Sequence, residues 1–151
     1  MTSTKQLWKV SAAGNEEPVQ ITKTGAAFGR ESADGRYVYY STFRPGMENK
    51  YTGIWCIPVE GGEAEQVLDQ DVEWLHWDLA GNRLYFATPV RGERFSFSFK
   101  DLRTGEQEEF FRLEGPYVLD SFGVQENEEW VYFAYGSSEE SRDIMLVENF
   151  R

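Results

Sequence analysis

Apolar residues along this chain come in short runs of four to eight, rich in aromatic and β-branched side chains and separated by polar pairs that contain glycine. Runs of that length and chemistry predict strands, because branched and aromatic side chains fit a pleated, half-buried surface. Leu7 to Val10 and Val19 to Thr22 come first, followed by Ala26 to Glu31, Tyr37 to Phe43, Gly53 to Val59 and Glu65 to Leu68. Four more strands are expected up to Phe111, and a last three ending at Phe150. Asp34-Gly35 and Gly61-Gly62 supply the positive-φ positions that tight hairpin turns need. Arg44 to Thr52, with Pro45 and Gly46, reads as a longer surface loop. No stretch has the spacing of an amphipathic helix; the best window, Gly61 to Val67, opens on two glycines and runs into the strand-like Gln66-Val67-Leu68.

The pattern repeats. Gly35-Arg36-Tyr37-Val38-Tyr39-Tyr40-Ser41 returns as Gly81-Asn82-Arg83-Leu84-Tyr85-Phe86-Ala87 and as Glu128-Glu129-Trp130-Val131-Tyr132-Phe133-Ala134, at offsets of 46 and 47 positions. A second unit keeps the same beat: Leu7-Trp8-Lys9-Val10 matches Ile54-Trp55-Cys56-Ile57, and returns more weakly at Phe97-Ser98-Phe99-Lys100 and at Ile144-Met145-Leu146-Val147. Four antiparallel strands recurring every ~40–50 residues is the signature of a β-propeller blade. A two-sheet sandwich also uses short strands at regular spacing, but it gives no reason for the same turn and aromatics to return in phase. The expected fold is all-β, with four-stranded antiparallel blades, about three per chain. Within one half-propeller domain, residues 1–22 are the last two strands of a blade, 23–68 and 69–111 a blade each, and 112–151 the first three strands of another.

Glu31-Ser32-Ala33-Asp34-Gly35-Arg36-Tyr37-Val38-Tyr39-Tyr40-Ser41, followed by Gly53-Ile54-Trp55-Cys56-Ile57-Pro58-Val59-Glu60-Gly61-Gly62-Glu63, closely resembles the repeat of TolB-like β-propellers, with their Ser-Pro-Asp-Gly turn. Asp143-Ile144-Met145-Leu146-Val147-Glu148-Asn149-Phe150-Arg151 resembles the chain end of such propellers in bacterial membrane proteins that carry a cytoplasmic winged-helix domain. The resemblance implies a periplasmic setting within a larger membrane protein. It implies no single activity, since similar blades serve transport accessories, sensors and the gating domains of serine peptidases. Departures are Ala33 in place of proline, Leu79-Ala80-Gly81-Asn82 in the second turn and Gln125-Glu126-Asn127-Glu128, without glycine, in the third.

Three blades are too few to close a toroid, and two open faces would leave Trp and Phe surface in water. The chain is therefore expected to be a piece of a larger propeller, or a half completed by a second copy into a two-fold ring of about six blades. In the second case Glu17 to Thr22 of one subunit follows Ile144 to Phe150 of the other as fourth strand, and Leu7 to Val10 competes with Asp143 to Val147 for one slot. The candidate interface residues are Leu7, Trp8, Val10, Val19, Ile21, Ile144, Leu146, Val147 and Phe150.

The chain has 151 residues, and 26 Asp+Glu against 15 Lys+Arg give a formal net charge of −11. Duplexes and anionic membranes are held by clustered Lys and Arg, so neither nucleic acid nor membrane is an expected partner. Arg91, Arg94, Lys100 and Arg103 lie near one another but spread along a strand and its turns. The N-terminus has no apolar stretch of a signal peptide, and no 18 apolar residues run together. A soluble chain is expected, and its compartment is unknown from the residues themselves.

Candidate chemistry is sparse. His76 is the only histidine, read as alternating with Trp74 and Asp78 on one strand face; without a Gly-x-Ser-x-Gly elbow it has no nucleophile to serve. Packing, or lining a channel together with Trp74, is its expected role. Cys56, the one cysteine, sits mid-strand and cannot form an intrachain disulfide. Asp69, Asp71 and Glu73 have the alternation of hard cation ligands, yet read as a solvated junction between blades. Glu126-Asn127-Glu128-Glu129 and Glu139-Glu140 read as turn tips. Trp8, Trp55, Trp74, Trp77 and Trp130 recur with the Tyr/Phe pairs at equivalent strand positions, which makes them inter-blade core, with Trp74 or Tyr117 as candidates for exposure near a channel. No phosphate loop is present, and no cofactor or metal is expected. The reading is a non-catalytic scaffold or protein-interaction module that self-associates, with a peptidase- or hydrolase-gating fragment and a small-molecule or glycan sensor as alternatives.

Overall fold

The computed structural model describes residues 5–23, 25–43, 51–90, 94–115, 117–137 and 142–148. Thirteen strands and no helix are found among them: β1 (Trp8–Lys9), β2 (Val19–Gln20), β3 (Ala26–Glu31), β4 (Tyr37–Phe43), β5 (Tyr51–Pro58), β6 (Glu65–Leu68), β7 (Trp77–Ala80), β8 (Arg83–Val90), β9 (Arg94–Asp101), β10 (Gln107–Glu114), β11 (Tyr117–Val124), β12 (Trp130–Ser137) and β13 (Arg142–Glu148). They form antiparallel sheets in chain order: a pair β1-β2, a four-stranded β3-β4-β5-β6, a four-stranded β7-β8-β9-β10, and a three-stranded β11-β12-β13. The chain divides into two compact units, Met1–Trp74 and Leu75–Arg151.

The hairpin turn that marks the repeat is built by its own residues. Ser32 Oγ donates to Asp34 Oδ1 (2.7 Å) and accepts from the Tyr37 amide (3.0 Å), while Asp34 also accepts from the amide and the guanidinium of Arg36. Gly35 closes the turn at φ +68, where a Cβ is costly. The third copy of the turn keeps this backbone without glycine: Asn127 Oδ1 accepts from the Glu129 amide, Gln125 and Trp130 close the ladder, and Glu128 stands at φ +60.

In the first unit, Ile21, Ala26, Tyr40 and Ile57 form a buried core backed by Leu7, Val38, Trp55 and Ala64. Leu7 and Gly29 fit each other: a Cβ on Gly29 would lie 2.9 Å from Leu7 Cδ1. Gly29 pairs with Tyr40, while the equivalent pairs elsewhere are Trp77 with Phe86 and Phe122 with Phe133. Glycine thus stands where the sibling sheets carry large aromatics, and Leu7 fills the space. In the second unit, Ala80, Tyr85, Ala87, Phe97 and Leu113 pack against Leu119, Phe122, Val131 and Phe133 of the last sheet, with Phe97 at the centre of a ring cluster (4.9 Å to Phe133, 5.5 Å to Phe111, 5.8 Å to Phe122).

One expectation is corrected. Trp74 and His76 do not lie on a strand: β7 starts at Trp77, with Trp74 and Leu75 in a turn and His76 in a bend. The alternation seen from Glu73 to Leu79 therefore begins before the strand does: Trp77 to Ala80 pair with β8, and just ahead of them the His76 carbonyl accepts from the Ala87 amide (2.8 Å).

Candidate functional site

The two incomplete sheets carry the surface that sets this molecule apart. In the β1-β2 pair only Trp8 with Gln20 and Lys9 with Val19 are in register, and Trp8 (58%), Val10 (62%) and Val19 (51%) are exposed. Ile21 is part of the buried core, and Leu7 packs against it. Further bonds hold the pair together and tie it to β3: the Leu7 carbonyl accepts from the Ile21 amide (2.9 Å), the Leu7 amide donates to Thr22 Oγ1 (2.9 Å), and the Ala26 amide at the start of β3 donates to the Lys5 carbonyl (2.9 Å). Lys9 Nζ reaches the Val59 carbonyl (3.1 Å) and Glu60 (3.4 Å). On this side an open cleft of about 550 Å³ remains, lined among others by Ile21, Thr22, Lys23, Tyr40 and Ile57.

In the last sheet β11 and β12 turn Leu119, Phe122, Val131 and Phe133 inward and leave Val118 (63%) and Tyr132 (45%) in water on the other face. Strand β13 pairs through its whole length with β12, from Trp130↔Glu148 to Gly136↔Arg142, and no described strand lies on its other edge. Ile144, Leu146 and Val147 belong to β13, whereas Phe150 falls outside the described residues. Sequence reasoning did not single out Val118 and Tyr132, although the alternation through Val131, Tyr132 and Phe133 carries the signal.

The candidates for chemistry sit apart from one another. His76, 2% exposed, donates from Nε2 to the Leu119 carbonyl at 2.7 Å and stands edge-on to Phe95. That bond places the proton on Nε2, so this nitrogen is not a base. Trp74 is exposed beneath the Lys5 ammonium, 5.9 Å from the ring centroid. Cys56 is half-buried, and burial, aided by the charge of Glu65, pushes its thiol up and keeps it protonated, the reverse of a nucleophilic cysteine. No group of three or more His, Cys, Asp and Glu among the described residues is arranged to hold a metal ion; Asp69 accepts from Gln66 instead.

Glu128, read in the sequence as part of a turn tip, reaches across to the neighbouring sheet. Its Oε2 accepts from Tyr85 Oη (2.6 Å) and meets the Arg83 guanidinium (3.3 Å), which lies over the Phe99 ring (4.4 Å). Burial, with the Glu128 carboxylate, pushes the Tyr85 phenol up to about 12, although the Arg83 guanidinium pulls the other way. This triad joins two sheets.

Four-stranded sheets returning in chain order define β-propeller blades. Twelve solved chains match, among them the structure of a protein from Agrobacterium tumefaciens assigned as a TolB, with a TM-score of 0.69 and 20% identity. That likeness covers 97% of this chain and 52% of the other, so the chain spans about half the length of its structural relative. The fold is that of TolB-like propeller blades. No family model matches the chain, and no curated protein matches it by sequence.

Proposed function

We propose that this chain is a half-propeller without chemistry of its own, a protein-interaction scaffold whose ring is closed by self-association. The observation that carries the reading is the pair of incomplete sheets, one of two strands and one of three, each with exposed apolar side chains. A propeller manages its sheet faces by packing each blade between two others, so these faces are interfaces waiting for a partner. A non-catalytic role is supported by the arrangement of the candidate groups: the His76 ring is engaged with a carbonyl, the Cys56 thiol is held protonated and Glu128 is tied to Tyr85 and Arg83. The family resemblance supports a bacterial periplasmic setting, and no helix among the described residues is long and apolar enough to cross a membrane.

Light scattering on a sizing column is the test. The reading expects a single species near twice 17.5 kDa. A monomer at all concentrations overturns self-association and favours the second reading, a piece of a longer propeller whose remaining blades are its partner; the half-length match to the solved structure speaks for that alternative.

A further inference from the structure

We infer that, when two copies associate, β13 of one takes the place of β1 in the other and pairs with its β2. The inference rests on the self-association proposed above and assigns the strand that moves. Both strands belong to the same slot of the repeat. Val38 pairs with Ile57 and Val131 pairs with Val147, and Val38 and Val131 are equivalent positions, so Ile144, Met145, Leu146 and Val147 stand where Ile54, Trp55, Cys56 and Ile57 do. Leu7, Trp8, Lys9 and Val10 occupy that slot in the β1-β2 pair. By register, Ile144 therefore takes the position that Leu7 holds in the β1-β2 pair.

Two observations favour β13 as the occupant. It is seven residues long with a whole edge unpaired by any described strand, whereas β1 is two residues long and is held to the β2 segment by two register pairs and the bonds of Leu7 to Ile21 and Thr22. The exchange supplies the three-stranded sheet with the fourth strand that both complete sheets have. The sibling ladders also fix the register. Trp55 pairs with Gln66 and Cys56 with Glu65, as Trp8 does with Gln20 and Lys9 with Val19. Met145 then faces Gln20 of the second copy, and Leu146 faces its Val19.

Directly opposed residues on antiparallel strands bring their Cβ atoms to about 4.5–5.5 Å, close enough for a disulfide after slight adjustment. The test is full-length chain with Val19→Cys and Leu146→Cys in a Cys56→Ser background, oxidised in a glutathione buffer and mapped by peptide mass. The control moves one cysteine out of register, Val19→Cys with Ile144→Cys. Exchange predicts at least tenfold more covalent dimer for the first pair than for the control, with the 19–146 linkage recovered between copies. Loosening β1 by Leu7→Ala should raise the dimer fraction of the otherwise unaltered chain severalfold. A dimer by light scattering with equal cross-linking in both pairs, or a Leu7→Ala variant that dimerises less, overturns the exchange and leaves self-association standing. A monomer by scattering overturns the self-association reading itself.

Discussion

The carboxyl group of Asp34 sits in a turn that it organises, and the Ser32 hydroxyl, with the Arg36 guanidinium and amide, holds it down at about 2, below its ordinary value of 3.8. A depressed carboxylate contributes stability that is complete above the unfolded-state value and is lost as pH falls through the folded one. Thermal unfolding followed from pH 5 to pH 2 should therefore show a decline between about pH 4 and pH 2 that is shallower in Asp34→Asn; equal slopes would mean the turn does not sense this proton. Because the group is fully exposed, the difference is small. Glu128 poses the opposite case, a side chain at φ +60 where two sibling turns use Gly35 and Gly81. A left-handed residue costs about 1 kcal/mol, while a hydrogen bond to a charged group contributes about 1.5–3 kcal/mol. Glu128→Gly relieves the first and loses the second, so a net loss of about 1 kcal/mol is expected in denaturant unfolding. In the Tyr85→Phe background the same change should be neutral or stabilising; a loss of equal size in both backgrounds would show that Glu128 acts through something other than Tyr85.

At the scale of the strand, the same slot in the repeat is filled by different residues for reasons that pairing alone does not explain. Gly29 is a poor strand former, since it loses more conformational freedom than other residues and buries no side chain. Its role is close approach: Leu7 occupies the volume above it. Gly29→Val should destabilise the chain by about 2 kcal/mol through overpacking. The same substitution with Leu7→Ala should recover most of that loss, and an additive double mutant in chemical denaturation would dissociate the two sites. The strand pattern itself was legible beforehand. Turn chemistry and apolar runs bounded the four-stranded sheets, because a hairpin needs only local residues. Trp74 and His76 were placed on a strand because apolar alternation does not end where the strand does; whether Trp74 joins a ladder depends on β8, which begins nine residues further along the chain.

At the scale of the whole molecule, the acidic balance has a simple consequence. If two copies associate as proposed, they carry twice −11, a repulsion that limits association to faces where buried apolar area outweighs it. Raising the ionic strength should therefore shift the monomer–dimer balance toward dimer by screening the overall repulsion, measured by light scattering from low salt to about 0.5 M, where the Debye length is under about 5 Å. A dimer that dissociates with salt would instead mean that attraction between opposite charges at the contact outweighs the net repulsion. The amino-acid sequence by itself determined the strands, the repeat, the blade as building unit and the absence of recognisable catalytic motifs, because each of these is written in local periodicity and residue type. The tertiary structure decided the rest. It showed that Leu7 fits over Gly29, that Glu128 bonds to Tyr85, and that Val118, Tyr132, Trp8 and Val19 face water. Those are relations between residues distant in the chain, and a one-dimensional pattern can say that a side chain is apolar without saying what, if anything, covers it.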